Sequence, residues 1–266
     1  MRVFQVDSFA SRPFEGNPAA VCLLDQERDD GWMQRVAAEM NLSETAFVLE
    51  GSDAFRLRWL TPTTEVALCG HATLASAHIL WETGRLSAGE AAVFETVSGR
   101  LVARRVEARI EMDLPASPAT EEAPPAGCLE ALSVAPTWVG RTADRGLGDF
   151  EHLVVLDSED AVLGARPDFQ RLRGFSGSFI VTARAASGPF DFVSRCFAPA
   201  FGIDEDPVTG AAHCTLVPYW AARLGKVELV GHQVSARGGV VRGRLAADRV
   251  HVGGEAVTVL RGELLA

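Results

Sequence analysis

No cluster of lysines and arginines of the kind that tracks phosphates occurs in the 266 residues, and the formal net charge is −10. Nucleic acids and anionic membrane surfaces are therefore poor partners for this chain. No stretch approaches the roughly 18 consecutive apolar residues of a membrane span. Met1–Val6 runs into Asp7 without a basic segment followed by an apolar one, so a soluble, unexported protein is expected. The five cysteines, Cys22, Cys69, Cys128, Cys196 and Cys214, are odd in number and form no Cys-x-x-Cys pair. That excludes a zinc ribbon or a disulfide framework and fits a reducing cytoplasm.

What the chain does have is an ordinary globular composition, 47% hydrophobic and 23% charged, and an internal repeat. Gly70 opens a run through Leu74, Ala75, Ala77, Ile79, Leu80 and Trp81 that stops at Gly84, and Gly210 opens one through Cys214, Leu216, Val217, Tyr219, Trp220 and Leu224 that stops at Gly225. Both read as helices of about three to four turns with a glycine at the C-terminus, apolar enough all round to be buried. Upstream of them lie Arg58-Trp59-Leu60-Thr61-Pro62 and Arg195-Cys196-Phe197-Ala198-Pro199, the second with a longer loop before its glycine. Downstream, Gly99 precedes Arg109 by the interval at which Gly239 precedes Arg249. Landmarks in one order predict two equivalent halves, each a set of strands around one central helix.

Strands are expected at Arg2–Phe9, Ala19–Leu24, Ala46–Leu49, Phe55–Leu60, Ala92–Thr96, Gly99–Arg105 and Arg109–Leu114, with a helix capped by Asp30 and ending near Asn41. Pro115–Pro125, rich in proline, reads as the linker. Beyond it lie a short helix at Leu129–Val134, strands at Trp138–Val139, His152–Leu156, Phe179–Thr182 and Phe190–Phe197, and C-terminal strands between Gln233 and Arg261. The expected class is α+β with two barrel-like lobes. The N-terminal lobe spans 1–116 and the C-terminal lobe 117–266, the terminal strand being free to pack on the other lobe.

Small residues in a helix's first turn present free N–H groups and the positive end of its dipole, which favours an anion by about 0.3–2 kcal/mol. If the halves are related by a two-fold, the two helix mouths face one cleft and hold a carboxylate or an incipient enolate. Glu44, at the edge of an apolar strand, is expected to be partly buried with a raised pKa suited to acid/base work. Asp206 precedes the second mouth as a cap or partner acid. His71 lies at the first mouth, where the dipole favours a neutral imidazole. Cys69, just before that helix, is either a packed residue or a thiol base. A two-thiol racemase lacks its second thiol, since Thr209 stands at the matching place.

Asp7-Ser8-Phe9 through Phe14-Glu15-Gly16-Asn17-Pro18-Ala19-Ala20-Val21, Asn41-Leu42-Ser43-Glu44-Thr45-Ala46-Phe47, Leu68-Cys69-Gly70-His71-Ala72-Thr73 and Glu205-Asp206-Pro207-Val208-Thr209-Gly210 together resemble the PhzF-like isomerase family of phenazine biosynthesis. The resemblance covers both halves. It implies the diaminopimelate epimerase-like fold, a homodimer without cofactor or metal, and Glu44 as the acid/base residue assisted by His71 and Asp206. Asn17, Gly70, Ala72, Thr73, Thr209, Gly210 and Ala211 are the expected substrate-binding positions. Where family members usually carry serine this chain has Ala211, so a hydroxyl is missing while the backbone N–H remains. That bears on the substrate more than on the reaction class. The leading expectation is a cofactor-independent isomerase that moves a proton within a small carboxylate-bearing metabolite. An epimerase or racemase using Cys69, and a non-catalytic binding module, are the alternatives.

Overall fold

The computed structural model describes residues 1–144 and 150–265. They divide into two compact units, Met1–Asp113 with Gly253–Ala266, and Leu114–Val252. The boundary falls slightly before the 116/117 junction expected from the sequence, and the C-terminal segment belongs with the first unit.

In the first unit β1 (Arg2–Ser8) pairs antiparallel with β2 (Asn17–Leu24), and helix α1 (Asp30–Met40) carries the chain to β3 (Glu44–Glu50), which runs parallel to β2. Asp29, not Asp30, caps α1: its carboxylate accepts from Trp32 N–H at 2.8 Å, which leaves Asp30 in the first turn. β4 (Phe55–Leu60) returns antiparallel to β3 and takes the two-residue β5 (Glu65–Val66) on its other side. Helix α2 (Gly70–Glu82) follows, then β6 (Ala92–Thr96) parallel to β4, β7 (Gly99–Val106) and β8 (Arg109–Pro115). In α2 every residue from His71 to Leu80 except His78 is buried, as a helix apolar on all sides must be.

The second unit repeats this pairing. The supposed linker is tied down rather than free, because β9 (Thr120–Glu121) pairs with β10 (Trp138–Arg141) on the far side of the short helix α3 (Cys128–Leu132). β11 (Glu151–Val155) lies antiparallel to β10, and helices α4 (Glu159–Gly164) and α5 (Phe169–Leu172) cross to β12 (Ser178–Arg184), parallel to β11. β13 (Phe192–Ala198) runs antiparallel to β12 and carries β14 (Ile203–Asp206) as β4 carries β5. After α6 (His213–Leu224) come β15 (Glu228–Gln233), parallel to β13, then β16 (Gly239–Ala246) and β17 (Arg249–Gly254). Finally β18 (Ala256–Glu263) pairs with β1, where β9 pairs with β10 in the second unit.

α6 opens at His213, not at Gly210. Gly210–Ala212 form a tighter turn in which His213 N–H bonds to Gly210 O at 3.1 Å and Cys214 N–H to Ala211 O at 2.9 Å. Pro218 lies inside α6 and cannot donate to the carbonyl of Cys214. Ser117 N–H donates to that carbonyl instead, at 2.9 Å, so the proline-rich segment repairs the helix it adjoins. Among the described residues no helix is long and apolar enough to cross a membrane.

Candidate active site

The pairing of the first unit gathers the end of β1 and the starts of β2 and β3 beneath the N-terminus of α2. Ser8 pairs with Asn17, and Ala19 with Glu44. Gly16 makes this possible: with φ +67° it turns so tightly that a Cβ would stand 2.1 Å from the Ser8 carbonyl oxygen, a contact no L side chain survives. The buried Asp7 steadies the same loop by accepting from Phe14 N–H at 2.7 Å.

Three side chains then converge. Glu44 Oε2 lies 3.1 Å from His71 Nε2, an ion-pair contact. Cys69 Sγ lies 3.5 Å and the Asn17 amide nitrogen 3.2 Å from His71 Nδ1. Ser8 Oγ donates to the His71 carbonyl at 2.8 Å. Glu44, Cys69 and His71 are only 8%, 6% and 6% exposed, so their charges act on one another with little screening by water.

Their ionisation departs from the sequence expectation at two points. Burial alone would raise the Glu44 pKa, yet the His71 charge and hydrogen bonds from His71, Ser43 and Cys69 outweigh it, and the net shift is downward rather than upward. Burial likewise works against a charged His71, but Cys69 and Glu44 beside it outweigh burial, so its pKa is raised well above the ordinary value instead of being held neutral. Burial, then the Glu44 carboxylate, push the Cys69 thiol up, which keeps it protonated near neutrality. Asn17 registers the state of the ring. With its amide nitrogen toward Nδ1 that atom accepts and the proton sits on Nε2; the imidazolium favoured by Glu44 calls for the amide reversed, with its oxygen accepting from Nδ1–H. One donor atom each from Glu44, Cys69 and His71 lie within 4.8 Å of one another, so these are the residues that could hold a metal.

The first turn of α2 is less open than the sequence implied. Thr73 gives both its N–H, at 3.1 Å, and its hydroxyl, at 2.6 Å, to the Cys69 carbonyl, and Ala72 N–H bonds to the Cys69 sulfur. Helix geometry leaves the amides of Gly70 and His71 to face an anion.

In the second unit Asp206, Thr209, Gly210 and Ala211 form a turn held by residues the sequence did not single out. Gln233 accepts from Thr209 N–H at 2.9 Å and donates to the Asp206 carbonyl at 2.8 Å, while the Thr209 hydroxyl donates to Asp206 Oδ2 at 2.5 Å. Thr209 is thus occupied at both donors. His213 Nδ1–H donates to the Thr209 carbonyl at 2.9 Å. Burial pushes the His213 pKa down to about 4, so this ring is neutral. Its packing requires Gly231, where a Cβ would come within 2.5 Å of the Phe192 ring and 3.0 Å of His213 Nε2. A buried glutamine ending a strand beside a histidine is the one signal in the sequence that points to Gln233.

The profile of the PhzC-PhzF family, described as phenazine biosynthesis-like protein, matches residues 6–262. A protein of Halalkalibacterium halodurans, named an uncharacterized isomerase, is 49% identical over 265 residues, covering 99% of this chain and 98% of that protein. The crystal structure of a PhzF family protein from Enterococcus faecalis superimposes with a TM-score of 0.92 at 37% identity, covering 100% of this chain and 99% of that one. A predicted epimerase from Pseudomonas aeruginosa gives 0.76 at 26% identity, covering 100% and 99%. The chain belongs to the PhzC-PhzF, phenazine biosynthesis-like family, and is an isomerase with the α+β, diaminopimelate epimerase-like fold of that family.

Proposed function

We propose that this isomerase moves a proton within a small carboxylate-bearing metabolite, with Glu44 as the base and His71 as its partner. The observation that carries this reading is the nearly buried Glu44 carboxylate, whose Oε2 lies 3.1 Å from His71 Nε2. A carboxylate in that condition is ionised and has an oxygen lone pair left for a proton taken from carbon. When Glu44 accepts that proton its charge vanishes, and with it the attraction that keeps His71 protonated. His71 then becomes the stronger acid just as negative charge develops on the substrate. The amides of Gly70 and His71, at the positive end of α2, favour that charge by about 0.3–2 kcal/mol before direct hydrogen bonds are counted. Returning the proton to a different carbon completes the isomerisation and restores the ion pair.

A thiol base is not favoured, since Cys69 is held protonated by its burial and by Glu44. The test is exchange of carbon-bound hydrogen in heavy water, read by proton NMR over a panel of small hydroxy and unsaturated carboxylic acids. Glu44→Gln is expected to lower exchange by about 10²–10⁴-fold, the usual worth of a general base, while Cys69→Ser retains it. Wild-type exchange in Glu44→Gln removes the mechanism. A homodimer is part of the same proposal and is checked by light scattering.

A further inference from the structure

A cavity of about 480 Å³ in the second unit lies against β10 and β11, between the chain entering α3 and the chain leaving α5. It shares no residue with the Glu44–His71 site. His152 of β11 lines this cavity and is only 3% exposed. Its imidazole stacks on Phe179, with ring centroids 5.2 Å apart and planes within 9°, and meets Phe150 edge to face at 5.2 Å. The enclosed Nε2 has no hydrogen-bond partner among the described residues. Leaving such a group unmet is costly, and native structures seldom do so without a reason. Burial, then the Arg141 charge, push the His152 pKa down, so the ring is neutral and offers one donor and one acceptor.

The fold does not itself demand this arrangement. Arg141, His152 and Phe179 stand side by side across β10, β11 and β12, while the matching places in the first unit hold Gln5, Ala20 and Thr45. The rest of the lining fits one kind of guest. Phe150 and Phe175 supply flat apolar surface, and Ser176 adds a hydroxyl at the rim. Arg141 lies over the Phe150 ring at 4.8 Å and is neutralised by Glu122 at 2.8 Å. With a neutral imidazole and a cancelled ion pair, the wall carries no net charge to draw an anion or a cation. The volume is that of an ordinary small-molecule site.

We propose that this cavity is a second small-molecule site, taking an uncharged aromatic compound of one or two rings that bears a hydroxyl group. The guest's ring packs against Phe150 and Phe175, and its hydroxyl, able to donate or accept, meets His152 in either tautomer. Binding is non-covalent and moves no proton between the partners.

The test titrates phenol and 2-naphthol onto the full-length protein and follows the histidine ring nitrogens by ¹⁵N NMR. Saturable binding is expected, with dissociation constants on the order of 1 mM or tighter, and with the His152 signals moving. His152→Phe keeps a ring on Phe179 but has no ring nitrogen, and should weaken binding about tenfold. His152→Gln, which restores a donor and an acceptor, should recover part of that loss. Phe175→Ala should weaken both compounds, benzoate should bind more weakly than phenol, and Glu44→Gln should bind phenol as the wild type does. Circular dichroism checks each variant's fold, and the wild-type ¹⁵N shifts with Phe175→Ala carry the test if His152→Phe does not fold. No saturable binding, unmoved His152 signals, full affinity in His152→Phe or Phe175→Ala, or benzoate bound as tightly as phenol overturns the proposal. Binding lost in Glu44→Gln assigns phenol to the Glu44 site and overturns it as well.

Discussion

The Glu44–His71 pair makes a prediction about stability that needs no substrate. Glu44→Gln keeps the side chain's size and leaves a polar group beside His71 Nε2, so what it removes is charge. Breaking a buried pair by deleting one partner costs about 3–5 kcal/mol when the survivor stays charged. Here His71 escapes by losing its proton and the amide retains a polar contact, which lowers the expected cost to roughly 1–3 kcal/mol. Its dependence on pH is the sharper test. The lowered Glu44 pKa contributes stability fully present above the unfolded value of 4.5 and lost as pH falls through the folded value. The raised His71 pKa contributes stability fully present below the unfolded value of 6.5 and lost as pH rises through the folded value. Both contributions are complete only between about pH 4.5 and 6.5, so the gap between wild type and Glu44→Gln should be widest there and close on either side. Urea unfolding followed by tryptophan fluorescence at a series of pH values measures it. A gap that is flat with pH, or widest in alkali, refutes the coupling.

Other positions give independent checks. Ser117→Pro removes the donor that satisfies the Cys214 carbonyl opposite Pro218 and should cost about 1–3 kcal/mol in urea unfolding, while Ser117→Ala, which keeps the N–H, should cost little. His213→Ala takes the partner from the Thr209 carbonyl and opens a cavity beside Phe192, for about 2–4 kcal/mol; His213→Asn, which restores a donor, should recover part of it. Gly16→Ala forces a Cβ onto the Ser8 carbonyl and displaces Asn17, so it should lower exchange activity as well as thermal stability, and a normal Tm would count against the tight turn.

The repeat was legible because it is written in punctuation: Gly70 and Gly210, Pro62 and Pro199, and the glycines that close each helix survive as backbone requirements whatever packs around them. Short pairings were not legible. β5, β9 and β14 are too brief to show a period, and β9 lies in a segment whose prolines argue for a linker, yet two residues suffice once β10 offers an open edge. That Glu44 and His71 carry ionisable groups at a strand edge and a helix mouth was visible, but the sign of their pKa shifts was not. A raised Glu44 follows from burial and a lowered His71 from the helix dipole, and both fail because Cys69 and Glu44 meet His71, which only the fold determines. Gln233 and Ser8 escaped for the same reason: their partners lie far away in sequence.

Equivalent positions in the two units show how a doubled lobe comes to carry the Glu44–His71 pair in one copy. Thr45 pairs with Leu60 in the first unit as Phe179 pairs with Phe197 in the second, so Ser178 stands at the place of Glu44 and Ala211 at that of His71. The second unit has neither a carboxylate nor an imidazole at these places. Glu151, opposite Ser178 in the parallel pair β11–β12, occupies the place of Ala19, and Thr215 on α6, which donates its hydroxyl to Glu151, occupies that of Ala75. A small apolar pair behind one helix is thus matched by an acid and a hydroxyl behind the other, and the carboxylate has moved from the mouth of the helix to its buried flank. Glu44 faces the His71 imidazole, whereas Glu151 is engaged by Thr215 and serves to hold α6. Division of labour of this kind requires that restoring the acid at Ser178 without an imidazole at Ala211 create no second base: Ser178→Glu should destabilise the unit and leave proton exchange no faster.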